Sequence, residues 1–287
     1  MFSIRKITAI GQTYRHLNRY HQILRALFKY GFADLVELLH IDQYLETGLQ
    51  MINRKPREQL EKHSRPERLR MALEELGPTF IKLGQLLSTR PDFIPTEYLH
   101  ELSKLQDEVP PFTFAEVEEI FFAETAKKPR ELFYRFEEEP IAAASIGQVH
   151  RATLKDGQDV VVKVQRPDIE QIIAVDLEIL AHLATLAEMY FEEVQGHRPS
   201  AIVEEFARTL ESEIDYTVEL SNIQRFASQF AGNLVIHVPQ VYRELSSQRI
   251  LTMENIKGIK ASRIERLQQM GMDLRLIAER GCNLMME

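Results

Sequence analysis

The chain has few residues that build cross-links, and it has no long apolar run. Among 287 residues there is one cysteine, Cys282, and no tryptophan. A single cysteine excludes an internal disulfide framework and a cysteine-rich metal site, and it suits a reducing cytoplasm. The absence of a run of about 18 apolar residues excludes a predicted membrane-spanning helix. The net charge of −8 argues against nucleic acid as a partner.

The rest of the composition is that of a folded protein. Hydrophobic residues make up 44% of the chain, and there are 12 glycines and 12 prolines. These values argue against a disordered or collagen-like chain. The length allows one large domain or two moderate ones, with a sizeable core in either case.

Acidic residues are absent from residues 1–33, which carry six arginines and lysines. Apolar residues recur at roughly helical spacing through the same stretch. A basic amphipathic helix of this kind lies on an anionic membrane surface or packs against the rest of the protein. We favour packing against the protein and keep an anionic membrane surface as a candidate partner.

Helical periodicity dominates up to about Leu105, and strand-like periodicity begins after Pro129. The helices predicted before this change are 32–52, 66–76, 78–89, 96–106 and one that a capping box starts at Thr113. The predicted strands are 133–137, 141–154, 159–165, 234–238 and 249–253. Helices ending near Glu193 and spanning 200–230 separate the third and fourth strands, and two more begin near Ser262 and Asp273.

This order predicts an α+β protein with a sheet of about five antiparallel strands. A helical block precedes the sheet, helices are inserted after its third strand, and further helices follow it. The same order occurs where a protein-kinase small lobe enters its large lobe. We expect a basic helical segment over 1–60, a helical extension over 61–130, the sheet with its inserted helices over 131–256, and the start of a helical lobe over 257–287.

Lys163 lies within an apolar strand. Side chains alternate along a strand, so Val160, Val162 and Val164 share one face, and Val161 and Lys163 share the other. A buried lysine requires an anionic partner. Kinases meet this requirement with nucleotide phosphates and a helical glutamate. The alternative is an edge-strand lysine that points into water.

The segment before this strand contains alanines where kinases have a glycine-rich loop. No G-x-G occurs in the chain, and the corresponding place reads Ala142-Ala143-Ala144-Ser145-Ile146-Gly147. Small side chains let backbone approach a ligand, whereas alanine disfavours the positive φ that glycine permits. We predict a stiff phosphate-binding turn, with tight strand packing as the alternative.

Two further polar patterns fall on predicted helices. Lys82 and Gln85 lie on one helix face with Gly84 between them, and a mid-helix glycine costs about 1 kcal/mol relative to alanine, which favours close packing there. An acidic run places Asp215 and Glu219 one turn apart, with Glu213 pointing elsewhere. A solvated helix face is the alternative for both patterns. Lone histidines, including His150 and His237, lack metal-ligand spacing and are interpreted as structural.

Together these features resemble, in chain order, the signatures of the UbiB protein-kinase-like family, atypical kinases associated with coenzyme Q biosynthesis. Lys82-Leu83-Gly84-Gln85 resembles its K-x-G-Q motif, and Ala142-Ala143-Ala144-Ser145 resembles its alanine-rich nucleotide loop. Lys163 stands at the family's strand lysine, and Glu213-Ile214-Asp215 resembles its E-x-D motif. The resemblance covers roughly residues 66–287.

The resemblance implies an ATP- or ADP-binding atypical kinase or ATPase that supports ubiquinone biosynthesis. Lys163 would contact phosphates and pair with Glu219, while Lys82 and Gln85 would lie over the active site near Glu213 and Asp215 and block a protein substrate. The implied nucleotide-binding residues are Ala142, Ala143, Ala144, Ser145, Ile146, Gly147, Val149, Val161, Met253, Glu254 and Ile256, the last three in a hinge.

The resemblance also implies partners and a location. The partners are a nucleotide, an anionic membrane surface, lipid or quinone precursors, and proteins of quinone biosynthesis. The expected location is cytoplasmic. A peripheral position on the inner face of the membrane is the alternative.

The chain departs from a kinase in its metal ligands. After Lys163 no aspartate is followed five positions later by asparagine, and no Asp-Phe-Gly triplet occurs. We therefore expect no metal site in this chain, Mg²⁺ only in a complete protein, and a chain that stops partway into the large lobe. A non-catalytic scaffold or membrane-associated interaction module of the same fold is the alternative.

Overall fold

The computed structural model describes residues 4–34, 62–105, 109–190, 196 and 198–286, with the backbone alone for residues 4–15. Most of the helix predicted over 32–52 lies outside these ranges. The helices before the sheet are α1 (Ile4–Lys29), α2 (Arg65–Leu76), α3 (Pro78–Ser88), α4 (Thr96–Leu102), α5 (Phe114–Thr125) and α6 (Pro129–Leu132). None of the described helices is both long and apolar enough to cross a membrane.

The sheet has five antiparallel strands, as predicted, but not the predicted five. They are β1 (Arg135–Phe136), β2 (Ala142–Ala143), β3 (Gly147–Thr153), β4 (Asp159–Gln165) and β5 (Ile250–Glu254). The order is β1-β3-β4-β5, and β2 also pairs with β3. The strand predicted over 141–154 is divided because the Ala144 N–H donates to the Gly147 carbonyl at 2.7 Å and closes a turn.

The strand predicted over 234–238 is wrong. Leu234 is 101% exposed and Val235 is half exposed, so the apolar run there is not a buried strand. The edge of β5 is occupied instead by the residues that follow, since Val241 forms a bridge with Met253 and the Tyr242 N–H donates to the Thr252 carbonyl.

The sheet buries one face against an aromatic cluster. Val160, Val162 and Val164 of β4 are fully buried. They pack with residues of α5 and the neighbouring segments, namely Phe112, Val117, Ile120, Phe121, Phe133 and Phe136. The predicted alternation along β4 is therefore confirmed, and it leaves Lys163 on the opposite face.

The remaining helices follow β4 and β5. They are α7 (Ile169–Tyr190), α8 (Pro199–Ile214), α9 (Tyr216–Gln229), α10 (Ile264–Gln269) and α11 (Leu274–Met286). The single helix predicted over 200–230 is wrong because Asp215 has φ −94° and ψ 98°, which is not helical. Its carboxylate accepts from the Thr217 N–H at 2.9 Å and caps α9.

The break between α8 and α9 is stabilised by polar groups of β4 and of the segment just before β5. The Gln165 amide donates to the Ile214 carbonyl at 2.7 Å, and the Tyr216 N–H donates to the Gln248 carbonyl at 3.0 Å. Backbone groups released at the break are thus paired again, as buried backbone requires.

Helix α1 packs on the protein over its described side chains. Ile23, Leu24 and Ala26 are each 2% exposed, in contact with α2 and α7. The Arg19 guanidinium contacts both carboxylate oxygens of Asp176, at 2.6 and 2.9 Å, and donates to the Leu76 carbonyl. The packed alternative therefore describes Ile23, Leu24 and Ala26, whereas Leu17 of the same helix is 53% exposed.

His150 forms part of a buried network behind the sheet. Its Nδ1 lies 2.8 Å from the Glu137 carbonyl and its Nε2 lies 2.9 Å from the Gln148 amide nitrogen. Because the Gln148 carbonyl oxygen accepts from the Phe112 N–H, the amide nitrogen must donate, so the ring is neutral with its proton on Nδ1. The structural interpretation of His150 is confirmed.

The network predicts a loss of stability in mild acid. Burial lowers the pKa of His150 below its ordinary value of 6.5, partly offset by the bond to Glu137. The unfolded chain takes up this proton as the pH falls below 6.5 while the folded chain resists it, so stability present above pH 6.5 is lost below it. The loss is at most about 1.4 kcal/mol per pH unit. Denaturant unfolding at pH 7.5 and 5.5 should give a flatter pH dependence for His150→Gln, and the exposed-site control His100→Gln should not.

Candidate functional site

Lys163 of β4 and Glu219 of α9 form an ion pair across a cleft. The ammonium lies 2.7 Å from the carboxylate, and the two side chains are 30% and 38% exposed. Fifty-six positions separate them along the chain. The pairing predicted for this lysine is therefore present in the structure, and the alternative of a lysine free in water is wrong.

Tyr216 lies beneath this pair and was not predicted. The Lys163 ammonium is 4.5 Å from the centre of the Tyr216 ring, a cation–π distance. The tyrosine is fully buried. Burial, and then the carboxylates of Glu219 and Glu213, raise the pKa of the Tyr216 hydroxyl well above its ordinary value. The lysine is thus positioned by a carboxylate on one side and a neutral ring on the other. The only sequence signal for Tyr216 was that it directly follows Asp215 of the acidic motif.

The alanine-rich turn closes the cleft beside Lys163. Residues 144–146 join β2 to β3, and together with Gly147, the first residue of β3, they line the cleft. The Arg166 N–H donates to the Ile146 carbonyl at 2.7 Å, and its guanidinium donates to the Ala144 carbonyl at 3.3 Å. Arg166, which the sequence did not single out, therefore holds the turn from behind. These contacts agree with the stiffness predicted for it.

Gly147 is required at this turn for reasons of space. A Cβ atom there would lie 2.5 Å from the Tyr216 hydroxyl oxygen and 2.5 Å from the Val164 carbonyl oxygen. Both distances are too short for any carbon atom, and one of the two atoms belongs to rigid backbone. The turn, the strand with Lys163 and the ring of Tyr216 therefore meet at a position that only glycine fits.

Gly147→Ala is consequently expected to destabilise the chain by about 1–3 kcal/mol, the usual cost of overpacking. Chemical unfolding followed by circular dichroism measures the change. The matched control is Gly281→Ala in α11, where an added Cβ meets nothing within 4 Å and no loss is expected. Equal stability of the two variants would show that the contact at Gly147 relaxes freely.

Lys82 of α3 reaches the same cleft from the helical block. Its ammonium lies 3.3 Å from the Glu213 carboxylate of α8, a residue 131 positions away. Gln85 points elsewhere, since its amide donates to the Leu105 carbonyl at 3.3 Å. A Cβ at Gly84 would lie 2.3 Å from a Leu105 methyl carbon and 2.9 Å from one of Leu73. The close packing predicted at Gly84 is thus confirmed.

The two carboxylates of the acidic motif contact different helices. Glu213 binds Lys82, whereas Asp215 caps α9 and also accepts from the Thr217 hydroxyl at 2.6 Å. The predicted helical stacking of Asp215 on Glu219 is wrong because the helix breaks at Asp215. The prediction that these carboxylates have different partners agrees with the structure.

The predicted hinge overlaps the end of β5, and its residue Met253 shares a sheet face with the lysine. In the ladder Met253 faces Val161, and Val149 faces Lys163, so the four side chains lie on one face. The Glu254 N–H donates to the Gln240 carbonyl at 2.8 Å. The Glu254 carboxylate lies 2.9 Å from His237 Nε2, and His237 lines the cleft.

One cleft of about 1090 Å³ brings many of these residues together. Of the predicted site residues, those that line it are Lys82, Ala144, Ser145, Ile146, Gly147, Lys163, Glu213 and Glu219. Those that do not are Gly84, Gln85, Ala142, Ala143, Val149, Val161, Asp215, Met253, Glu254 and Ile256. The cleft therefore has a charged end at the lysines. Apolar and aromatic side chains of α9 and of residues 238–239 form its other wall, and these were not predicted.

The ion pairs limit what these residues can do with a metal. Both carboxylates that line the cleft, Glu213 and Glu219, are bound to lysines. Within the described residues no group of three histidine, cysteine, aspartate or glutamate side chains converges on one point. Each of the two lining carboxylates is therefore engaged by a lysine, Glu213 by Lys82 and Glu219 by Lys163.

An antiparallel sheet whose strand lysine pairs with a glutamate on a neighbouring helix defines a protein-kinase-like small lobe. Comparison with known proteins supports this class. Residues 104–287 match the model of the ABC1 atypical kinase-like domain, and the chain belongs to that family. The resemblance that the four motifs indicated is confirmed.

The chain is similar to several proteins named probable protein kinase UbiB. Identity is 39% over 271 residues with that of Shewanella denitrificans and 37% over 270 residues with that of Pseudomonas fluorescens, each covering 93% of this chain. The alignments cover 49% and 50% of those proteins, so the chain spans about half the length of these curated relatives. The solved complex of Rv3197 with erythromycin from Mycobacterium tuberculosis is 31% identical, with a TM-score of 0.49, over 73% of this chain and 52% of that one.

Proposed function

We propose that the chain binds an adenine nucleotide, ATP or ADP, in the cleft between the sheet and α9. The observation that carries this proposal is the 2.7 Å pair of Lys163 and Glu219 beside the turn of residues 144–147. Glu219 orients the ammonium, and the ammonium is the group that meets phosphate oxygens. Small side chains in the turn let its backbone approach the same phosphates.

The hinge supplies the adenine contacts in this proposal. The Glu254 N–H is engaged by Gln240 and the Asn255 N–H by Asp159, so we assign adenine to the backbone groups nearer Ile256. Met253 and Val161 share the sheet face of Lys163 but do not line the cleft, so in this proposal the base extends beyond the cleft along that face and meets an apolar surface there. The residues nearest the phosphates and nearest the base thus lie on one face of the sheet.

The Lys82–Glu213 pair restricts what else can enter. It joins α3 to α8 at 3.3 Å directly beside the lysine end of the cleft. A peptide substrate of a protein kinase docks beside the phosphates, and this pair stands in that approach. We therefore propose an atypical kinase or ATPase that acts on small or lipid-linked molecules in support of ubiquinone biosynthesis.

Titration calorimetry with ADP and with ATP tests the binding proposal. We expect one saturable site for each nucleotide on the folded chain. Far-ultraviolet circular dichroism of the same sample establishes that it is folded. A folded chain that shows no saturable binding up to millimolar nucleotide would overturn the proposal.

A non-catalytic scaffold is the second candidate. It is favoured by the two lysine-bound carboxylates of the cleft and by a sequence with no Asp-Phe-Gly triplet. Since metal neutralises most of the charge in phosphoryl transfer, we expect these 287 residues to bind nucleotide without efficient turnover. Magnesium-dependent ATP hydrolysis by the chain, measured as released phosphate and lost in Lys163→Met, would exclude the scaffold.

A further inference from the structure

The cleft lies at the upper end of the usual size of small-molecule sites. Small-molecule sites usually enclose about 300–1,000 Å³, and this cleft measures about 1090 Å³. Its wall includes a polar section of α8 that the proposed nucleotide contacts leave unused. That section carries Arg208, Thr209 and Ser212, which occupy neighbouring positions on one side of the helix.

Arg208 is the positively charged residue of this wall. The other two cations that line the cleft are each bound to a carboxylate, Lys163 to Glu219 and Lys82 to Glu213. No carboxylate in the part of the chain that the structure describes forms an ion pair with Arg208. With both lysines neutralised by their partners, the cleft keeps one net positive charge, located on α8.

Helix neighbours do not account for this arginine. Glu204 and Glu205 lie four and three positions before it and Glu211 lies three positions after it, the spacings at which helical ion pairs form. Yet none of the three, all within the described helix α8, forms an ion pair with Arg208. None of these glutamates lines the cleft, whereas Arg208 does. Arg208 therefore lines the cleft as an exposed cation with no ion pair to its helix neighbours in the described α8.

The adjoining hydroxyl groups differ in what they offer. The Thr209 hydroxyl donates to the Glu205 carbonyl at 3.0 Å, so its proton is already engaged. Ser212 lies one turn after Arg208 and adjoins Glu213 in the chain, and its hydroxyl can donate into the cleft. An arginine fork with a hydroxyl donor beside it suits a phosphate group, which accepts several hydrogen bonds at once.

We propose that Arg208 and Ser212 form a second phosphate-binding subsite within the cleft, distinct from the phosphates at Lys163. This subsite holds a phosphate or pyrophosphate group of the molecule that shares the cleft with the nucleotide. The inference rests on the proposed function in naming that molecule as the nucleotide's co-substrate. The subsite itself depends only on the residues of α8.

Inorganic pyrophosphate is the probe, titrated into the chain saturated with ADP. We expect Arg208→Gln to weaken pyrophosphate binding about tenfold, the loss of a charge-assisted contact. Ser212→Ala should weaken it less, by about two- to fivefold. ADP affinity should stay unchanged in both. The matched control is Arg225→Gln, which removes an exposed arginine of α9 that does not line the cleft.

Each contrary outcome has a definite meaning. Equal pyrophosphate affinity in Arg208→Gln and the wild type overturns the subsite. Competition between ADP and pyrophosphate for one site, with ADP affinity reduced in Arg208→Gln, assigns the arginine to the nucleotide and also overturns it. An equal loss in Arg225→Gln shows a general charge effect and does the same.

Failure of the proposed function is distinguishable from failure of the subsite. If ADP does not bind the wild type, the pyrophosphate titration is repeated without nucleotide. Weaker binding in Arg208→Gln but not in Lys163→Met then supports the subsite alone. Equal weakening in those two variants would place a single anion site between the two residues and contradict the inference.

Discussion

Lys163→Met is expected to weaken ADP and ATP binding by at least tenfold. The substitution removes the ammonium and keeps a side chain of similar length, so the contact with phosphate oxygens is lost while the strand is preserved. Hydrogen bonds to charged groups contribute about 1.5–3 kcal/mol, and 1.4 kcal/mol is one factor of ten. Calorimetric titration of both nucleotides measures the change.

The fold should survive this substitution because both members of the ion pair are partly exposed. Glu219 is 38% exposed, so water can solvate its carboxylate when the lysine is gone. Lys155→Met is the matched control, since Lys155 is an exposed lysine in the turn between β3 and β4 of the same sheet. Unchanged nucleotide affinity in Lys163→Met would contradict the role proposed for this lysine.

Asp176→Ala is expected to destabilise the chain by about 3–5 kcal/mol. The carboxylate is fully buried and binds the Arg19 guanidinium at 2.6 and 2.9 Å, so its removal leaves a largely buried cation without its partner. Breaking a buried pair by removing one member costs about this much. Because the pair joins α1 to α7, the loss should also expose the contact between those helices to proteases.

Urea unfolding measures the loss, and limited proteolysis followed by mass spectrometry locates it. Asp34→Ala is the control, because the Asp34 carboxylate pairs with Arg65 at a site where both side chains are about half exposed. Exposed pairs contribute about 0–1 kcal/mol. Similar losses in the two variants would show that burial does not decide the strength of the Arg19–Asp176 pair.

The face on which each β4 side chain lies was predictable from the sequence. Alternation along Val160–Val164 depends on backbone geometry alone, so the buried valines and the cleft-facing lysine followed from it. The capping box at Thr113 was predictable for the same reason, since a contact three residues away is set by the helix itself.

Contacts made by distant parts of the chain were not predictable in this way. The break at Asp215 depends on hydrogen bonds from Gln165 of β4 and from Gln248 just before β5, which periodicity along α8 and α9 does not predict. The partner of Lys163 was assigned from a family resemblance, because nothing local relates two residues 56 positions apart.

The strand predicted over 234–238 is absent because another segment occupies the edge of β5. Its apolar residues are typical of a strand, but the edge of β5 is paired with residues 240–242 instead. Periodicity predicts that a segment can form a strand, and it does not predict which segment reaches the sheet edge. Tyr216, Arg166 and Arg208 were not singled out for a related reason. Periodicity does not predict which side chains distant segments bring to the cleft.

Covalent labelling of the cleft lysine tests the nucleotide site most directly. An acyl phosphate of ATP transfers its acyl group to a lysine amine held at the phosphates and releases ATP, and peptide mass spectrometry identifies the modified lysine. The account predicts preferential acylation of Lys163, suppressed by excess ADP. Acylation spread over exposed lysines such as Lys155 and Lys257, with Lys163 unmodified and no protection by ADP, would contradict it.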